Sequence, residues 1–304
     1  MSIRPAAPGS IGAALRLGGV LLDGGLGTQL ETRGHDLSSS LWSARLLLEN
    51  PGAVLDAHRE YFRAGADVAI SASYQVSHDA LASTGRDAGA VDDLLRLSVS
   101  LASQARDEIR PDGWVAASVG PFGASRADGS EYRGDYGLTV GELRQWHRRR
   151  LQVLIDTRAD VLAVETIPSL AEVEAIVSEI DGTGMPAWIS VTSAAGLLRS
   201  GESLERAFEI ASDIEEVIAV GVNCTHPRDV AAAIVAARRM TSVPVIVYPN
   251  SGEDWDAVGR RWTGEPGLSG SLVQEWIALG AGAVGGCCRI GPAQIASLAA
   301  ATAS

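Results

Sequence analysis

The chain has 304 residues, of which 46% are hydrophobic and 20% are charged, and these proportions are typical of a globular protein. Its formal charge of −12 repels phosphate backbones, so a nucleic-acid partner is not expected. No apolar run reaches the roughly 18 residues of a membrane span, and the opening stretch lacks a signal-peptide cleavage pattern, which together predict a cytoplasmic protein.

Eight short runs rich in aliphatic residues recur along the chain, and most of them follow a stretch with helical periodicity. They read VLLD (20–23), DVAISAS (67–73), WVAASVG (114–120), DVLAVET (160–166), AWISVT (187–192), VIAVGVN (217–223), VPVIVYPN (243–250) and GAVGG (282–286). The runs are apolar throughout, which is the pattern of parallel strands buried on both faces. The clearest helical stretch, PGAVLDAHREYFRAGA (51–66), lies between the first two runs and carries a proline at its start.

Eight strand–helix units in a chain of this length predict an α/β fold, a single (β/α)8 barrel domain over residues 16–304, after a leader over residues 1–15. The alternative is an open, doubly wound sheet. Its glycine-rich dinucleotide fingerprint is absent after the first strand, where the sequence reads DGGLGTQLE.

All three cysteines follow predicted strands, Cys224 after the sixth and Cys287 and Cys288 after the eighth. In a closed barrel only one strand lies between the sixth and the eighth, so the three thiols can meet at the carboxyl end of the barrel. Three thiolates with an open fourth position are the pattern of a catalytic zinc site. Adjacent strand residues point to opposite faces, so the pair can share a metal only if the backbone leaves strand geometry, which Gly285 and Gly286 would permit.

Other interpretations of these thiols stay open at this point. Cysteine is a small apolar residue that is often buried, and an adjacent pair can form a vicinal disulfide. The loops after the seventh and eighth barrel strands often bind phosphate, although adjacent thiols have no evident part in holding it. The usual C-x2-C spacing of zinc sites is absent.

Two acidic residues, Asp23 and Glu165, follow the first and fourth strands. A buried carboxylate needs a cationic or hydrogen-bonding partner, and an amino-acid ammonium group would serve. Asp23 can alternatively be a turn residue before Gly24 and Gly25.

Several motifs resemble those of the homocysteine S-methyltransferases, most closely the branch that uses S-methylmethionine. They are LLDGGLGTQLETRG (21–34), LWSARLLLENP (41–51), YFRAGADVAISASYQ (61–75), SVGPFGA (118–124), DGSEYRGDYG (128–137), AVETIPS (163–169), GVNCTHP (221–227), VYPNSGEDWD (247–256) and GGCCRIGP (285–292). The resemblance covers the chain from about Leu21 to the final helix, and GVNC combined with GGCC is highly specific. The family fold is a TIM barrel, which agrees with the eight runs.

The resemblance implies a role for each group of residues at the strand ends. Zinc would be bound by Cys224, Cys287 and Cys288, which would then carry the catalytic chemistry. Homocysteine would be bound by Asp23, Gly24, Gly25, Glu165 and Asn223. The two acids would contact its ammonium group, and the two glycine amides would lie near its carboxylate.

The reaction implied by this resemblance is methyl transfer from a sulfonium, S-methylmethionine first and S-adenosylmethionine second, to the thiol of L-homocysteine, giving methionine. The alternatives are betaine as donor, a thiol or selenol as a related acceptor, and a non-catalytic zinc-binding thiol sensor. A Schiff-base aldolase is disfavoured because the chain contains no lysine. We expect a monomer or dimer, because the long C-terminal extension that betaine-using relatives employ for assembly is lacking.

Two loops, EYRGDYG (131–137) and YPNSGEDWD (248–256), bring acidic and aromatic residues toward the predicted barrel mouth. These residues are Glu131, Asp135, Glu253 and Asp254, with Tyr132, Tyr136, Tyr248 and Trp255. Carboxylates and aromatic faces both attract a cation, so we expect the methyl donor there. Arg133 and Asp135 could hold the amino-acid end of S-methylmethionine, or could form a surface salt bridge with each other.

Overall fold

The computed structural model describes residues 9–36, 42–82, 85–256 and 261–302. Within them, eight parallel strands alternate with helices along the chain. The strands are β1 (Val20–Leu21), β2 (Val68–Ile70), β3 (Trp114–Val119), β4 (Val161–Ile167), β5 (Ala187–Val191), β6 (Val217–Asn223), β7 (Val245–Tyr248) and β8 (Ala281–Val284). Each overlaps one of the eight predicted runs, with ends that differ by a few residues, so the predicted strand positions are confirmed.

The strands form one parallel sheet in the order β1-β8-β7-β6-β5-β4-β3-β2. β1 pairs with β8 through Val20–Ala283 and Leu21–Val284. On the other side of β1, a parallel bridge between Leu22 and Val68 connects the end of β1 to β2. The sheet therefore closes on itself, and the predicted (β/α)8 barrel is confirmed.

The helices surround this sheet. They are α1 (Ile11–Leu17), α2 (Leu26–Thr32), α3 (Trp42–Glu49), α4 (Pro51–Arg63), α5 (His78–Ala82), α6 (Ala88–Ile109), α7 (Phe122–Arg126), α8 (Val140–Ile155), α9 (Leu170–Ile180), α10 (Leu204–Ala211), α11 (Pro227–Met240), α12 (Gly270–Ala278) and α13 (Pro292–Thr302). None of the described helices is both long and apolar enough to cross a membrane.

The barrel interior is filled by alternate residues of each strand. Large side chains such as Trp114 and Trp188 share this cluster with small ones such as Ala116, Ala163 and Ala219, and all five are buried. This mixture of sizes fills a closed barrel without leaving a pore. A second, larger cluster packs between the outer face of the sheet and the helices.

Helix α1 begins inside the predicted leader over residues 1–15, of which residues 1–8 lie outside the described part of the chain. Ser10 caps it by accepting a hydrogen bond from Ala13 N–H at 3.3 Å, and Ile11 and Leu15 are buried in the interior cluster. The carbonyl of Leu15 lies so close to the start of β8 that a Cβ on Gly282 would come within 2.4 Å of it. The apolar spacing of residues 11–15 therefore belongs to a helix that covers the amino-terminal end of the barrel, opposite the cysteines.

Candidate active site and metal centre

The three cysteines meet where β6 and β8 end, as predicted. The sulfur atoms of Cys224, Cys287 and Cys288 all lie within 4.8 Å of one another, and among the described residues this is the group of side chains placed to share a metal ion. Tetrahedral zinc with Zn–S bonds of about 2.3 Å requires sulfur atoms about 3.8 Å apart, so the cluster fits such an ion after small adjustments.

The backbone leaves strand geometry before the cysteine pair. β8 ends at Val284, and the loop after it is held by the two residues that follow β7. Cys287 N–H donates to Pro249 O at 2.8 Å, and Cys288 N–H donates to Asn250 Oδ1 at 3.2 Å. Adjacent side chains can thus face one ion.

Glycine serves this loop by its small size. Neither Gly285 nor Gly286 has a positive φ, whereas Arg289, in the turn that follows, does, with a φ of +68°. A Cβ on Gly286 would lie 2.2 Å from Ile290 Cγ2, and one on Gly285 would lie 2.6 Å from Leu22 Cβ. The proposed reason for these glycines, an unusual turn, is therefore replaced by close packing against β1 and the loop itself.

The three thiols shift one another's pKa values. Hydrogen bonding with Cys224 and Cys288, together with burial, raises the pKa of Cys287. Hydrogen bonds from Cys224 and Cys287 lower the pKa of Cys288, so one thiolate is stabilised by two neighbouring thiols. Three thiolates at this spacing would repel one another strongly, and a divalent cation is the group that offsets that repulsion.

Asp23 and Glu165 both lie buried at the carboxyl ends of their strands. Asp23 Oδ2 accepts from Ile70 N–H at 2.9 Å, while its buried Oδ1 has no partner among the described residues. Glu165 Oε1 accepts from Ser118 Oγ at 2.5 Å. Burial raises the pKa of Asp23, with a further contribution from Glu165, and burial raises the pKa of Glu165 to about 7. Two acids held in this way can receive a cationic group between them.

Asn223 joins β6 to the end of β4. Its Oδ1 accepts from Thr166 N–H at 2.6 Å, and its Nδ2 donates to Thr166 Oγ1 at 2.8 Å. Thr166 has a φ of +62°, a rare value for a β-branched residue. Both ends of the Asn223 amide thus hold the strained residue next to Glu165, and its implied contact with substrate stays a prediction.

The β1 loop packs against the loop that carries the cysteine pair. Gly25 N–H donates to Ile290 O at 2.9 Å, and the Tyr61 hydroxyl donates to Gly25 O at 2.8 Å. The Gly25 amide is therefore used within the protein, which leaves the Gly24 amide as the candidate for a substrate carboxylate. A Cβ on Gly24 would lie 2.2 Å from Ile290 O, so glycine is also required there by close approach.

One aromatic residue of the predicted donor loops lies at the thiols. Tyr132 lies close enough to Cys288 for its hydroxyl to lower the pKa of that thiol. Tyr248 lies inside the barrel, where its hydroxyl accepts from Trp188 Nε1 at 3.1 Å. Tyr136 packs edge-on against Phe122, with ring centroids 5.1 Å apart. Of the three tyrosines expected near the donor, Tyr136 and Tyr248 are thus held by contacts with Phe122 and Trp188, and their contact with a donor stays a prediction.

Two of the acids in the same loops form ion pairs, Asp135 with Arg133 and Glu253 with Arg289. Arg133 Nε lies 3.3 Å from Asp135 Oδ1, and both side chains are more than half exposed, so the surface salt bridge is the correct interpretation. Glu253 accepts two hydrogen bonds from Arg289, at 3.1 and 3.0 Å, which ties the β7 loop to the β8 loop. The backbones of Asp254 and Trp255 begin a short hairpin strand, Asp254–Asp256, but their side chains lie outside the described part of the molecule.

Ser118 is a site residue that the sequence reasoning missed. On β3, Trp114 and Ala116 point into the barrel, and the period of two places Ser118 on the same inward face. The same alternation leads along β4 from Ala163 to Glu165. Counting inward positions along the predicted strands would have found the Ser118–Glu165 pair.

The chain is similar to known methyltransferases along nearly its whole length. The family model described as homocysteine S-methyltransferase matches residues 20–302. Homocysteine S-methyltransferase 4 of Zea mays is 44% identical, over 93% of this chain and 89% of its own length. Selenocysteine Se-methyltransferase of Brassica oleracea var. italica is 40% identical, over 92% of this chain and 88% of its own.

The barrel also superimposes on a solved structure. The metallated form of the homocysteine methyltransferase MmuM from Escherichia coli matches with a TM-score of 0.83 and 39% sequence identity, over 92% of this chain and 95% of that one. A family model that spans nearly the whole chain, and relatives above 30% identity over nine-tenths of it, are decisive. The chain belongs to the homocysteine S-methyltransferase family.

Proposed function

We propose that the protein transfers a methyl group from a sulfonium donor to the thiol of L-homocysteine, with zinc bound by Cys224, Cys287 and Cys288. The observation that carries this proposal is the three-thiol cluster, which lies at the same end of the barrel as two buried acids. The names of the relatives support homocysteine as acceptor. We place the protein in the cytoplasm, as a monomer or dimer.

The two acids give the acceptor its orientation. An ammonium group between Asp23 and Glu165 would donate a hydrogen bond to Asp23 Oδ1, which has no partner among the described residues, and would reduce the repulsion between the two carboxylates. Bound zinc supplies positive charge that keeps a coordinated thiol deprotonated at neutral pH. The cysteine loops and the acids together fix where the acceptor sulfur lies, and such positioning supplies a large part of the rate.

The reaction needs no further co-reactant. The acceptor sulfur forms a bond to the donor methyl carbon as the bond between that carbon and the donor sulfur breaks. The donor loses its positive charge and leaves as a neutral thioether, and the acceptor thiolate becomes methionine. The thiol proton of homocysteine is released when the acceptor binds, so the residues need not remove it during the transfer.

The test is kcat/KM for S-methylmethionine, S-adenosylmethionine and betaine, each with homocysteine, under reducing conditions with added zinc. We expect S-methylmethionine to be used best, S-adenosylmethionine second and betaine least. If betaine is used fastest, the donor assignment is wrong and the acceptor site stands. If homocysteine is methylated by none of them while zinc is retained, the protein is a zinc-binding thiol sensor and the proposal fails.

A second acceptor has a specific observation in its favour. The Brassica relative is named for methyl transfer to selenocysteine, and a selenolate can occupy the same position as a thiolate. Competition between homocysteine and selenocysteine for one donor measures this preference. We expect both to be methylated at one site, each inhibiting the other competitively.

A further inference from the structure

Arg199 is a cation at the barrel mouth that has no carboxylate partner among the described residues. It follows the short hairpin that pairs Ser193–Ala194 with Leu197–Leu198, just after β5. Its guanidinium carbon lies 5.7 Å from the centroid of the Tyr132 ring, and its Nε lies 3.5 Å from Thr192 Oγ1. Within the described part of the chain, its terminal nitrogens contact no hydrogen-bond acceptor and no acid.

Two contacts place this arginine beside the thiol cluster. Thr192, which Arg199 touches, donates its hydroxyl to Cys224 O at 3.2 Å. Tyr132, on whose ring Arg199 lies, is close enough to Cys288 to lower the pKa of that thiol. Arg199 is half-buried and Tyr132 is 38% exposed, so both lie on the side of the cluster that a molecule from solvent would approach.

An acid with an unpaired oxygen precedes the same tyrosine. Glu131 belongs to the single 3-10 turn Ser130–Tyr132, and its Oε2 is buried without a hydrogen-bond partner among the described residues. The turn is held in place because Gly123 lies against it, where a Cβ would come within 2.3 Å of Glu131 N. A buried carboxylate oxygen without a partner is costly, so this site favours a cationic ligand.

We propose that Arg199 and Glu131 bind the α-carboxylate and α-ammonium groups of an amino-acid sulfonium donor. This inference rests on the proposed function and names the chemical class of its donor. The guanidinium group can form two parallel hydrogen bonds to a carboxylate, and Glu131 supplies the opposite charge for the ammonium group. The acceptor has its own pair of acids, Asp23 and Glu165, so the two amino-acid ends are held by separate residues.

Three sulfonium compounds separate the two contacts. S-methylmethionine carries an ammonium and a carboxylate, dimethylsulfoniopropionate carries only the carboxylate, and trimethylsulfonium carries neither. Affinity is measured as KM where the compound donates a methyl group, and as a competitive inhibition constant against S-methylmethionine where it does not. The zinc-loaded protein is tested as wild type, Arg199→Gln, Arg199→Lys and Glu131→Gln.

We expect Arg199→Gln to weaken the binding of S-methylmethionine and of dimethylsulfoniopropionate by roughly 10- to 100-fold. The affinity for trimethylsulfonium should not change. Arg199→Lys keeps the charge without the paired geometry, so its loss is smaller. Glu131→Gln should lower the affinity for S-methylmethionine alone. The KM for homocysteine should stay unchanged in all three variants, which also shows that they are folded.

Arg126→Gln is the matched control, because Arg126 also lies 5.7 Å from an aromatic ring, that of Phe122, but is exposed, and its substitution should show no effect. Equal affinity of the wild type for all three compounds, or an unchanged S-methylmethionine KM in Arg199→Gln, would overturn the inference. A raised KM for homocysteine in Arg199→Gln would also overturn it, by assigning the arginine to the acceptor. Failure of the proposed function is distinguishable, since the wild type would then transfer no methyl group.

Discussion

Asn223 connects the strain at Thr166 to the acid that precedes it. Asn223→Ala removes both hydrogen bonds to Thr166 and leaves a buried N–H without a partner. We expect the free energy of unfolding to fall by about 2 to 3 kcal/mol, and the KM for homocysteine to rise because Glu165 loses its fixed position. Denaturant unfolding and steady-state kinetics measure the two effects.

The two measurements also separate this role from direct substrate contact. If homocysteine KM rises while the free energy of unfolding is unchanged, Asn223 binds the substrate itself, as the family resemblance implies. If neither quantity changes, the pair of hydrogen bonds does not hold Glu165.

Glu165 should make stability depend on pH in a predictable direction. Burial raises its pKa from 4.5 to about 7, so the folded protein holds a proton that the unfolded chain releases above pH 4.5. The stabilisation is complete below pH 4.5, is lost as the pH rises to about 7, and is absent above that. Relative to Glu165→Gln, metal-free, reduced protein should lose up to about 3 kcal/mol across this range.

Denaturant unfolding of both proteins between pH 4 and pH 8 tests the prediction. The difference between them isolates Glu165, because other titrating groups are common to both. A difference that stays constant with pH would show that Glu165 titrates with an ordinary pKa. A difference of the opposite sign would mean that its carboxylate, not its acid form, is the better stabilised in the fold.

The loops after β1 and β8 behave as one packed unit. A Cβ on Gly24 would meet Ile290 O at 2.2 Å, whereas one on Gly291, next along the chain from Ile290, would meet nothing closer than 3.4 Å. Gly24→Ala should therefore displace the loop of Cys287 and Cys288 and lower zinc content, and Gly291→Ala should not. Elemental analysis and homocysteine affinity are measured for both. Full zinc content with weakened homocysteine binding in Gly24→Ala would assign the glycine to the substrate carboxylate alone.

The elements of the barrel are predictable from sequence because burial on both faces leaves long apolar runs. The cysteines and acids are predictable for a related reason, since parallel strands bring their carboxyl ends to one edge of the barrel. The eighth strand ends at Val284, two residues earlier than predicted, because Gly285 and Gly286 serve loop packing.

Other parts of the site depend on contacts between distant loops. No local signal marks the +62° φ of Thr166, a value that β-branched residues seldom adopt. The placement of Arg199 on Tyr132 joins the loops after β5 and β3, which lie 67 residues apart in numbering, and only the folded barrel brings them together. Paired surface charges such as Arg133 and Asp135 cannot be told from ligand-binding charges by sequence spacing alone.

At the scale of the whole molecule, metal binding should be coupled to folding. The three thiols come from two strands, so the unfolded chain has no preformed site. Free zinc at about 1,000 times its dissociation constant should raise the free energy of unfolding by about 4 kcal/mol, and Cys288→Ser should lose most of that gain. Calorimetry with buffered zinc tests this. Equal stabilisation of wild type and Cys288→Ser would place the ion elsewhere.

Closure of the barrel between its first and last strands also has a consequence for synthesis. β8 pairs with both β1 and β7 and is followed at once by two of the three thiols. Before β8 is made and docked, Cys224 has no companions, and two sheet edges stay open to pairing with other chains. The three-cysteine site can therefore bind a metal ion only in chains whose barrel has closed. The metal content per chain of a fresh preparation would then count its correctly assembled molecules, independently of any activity measurement.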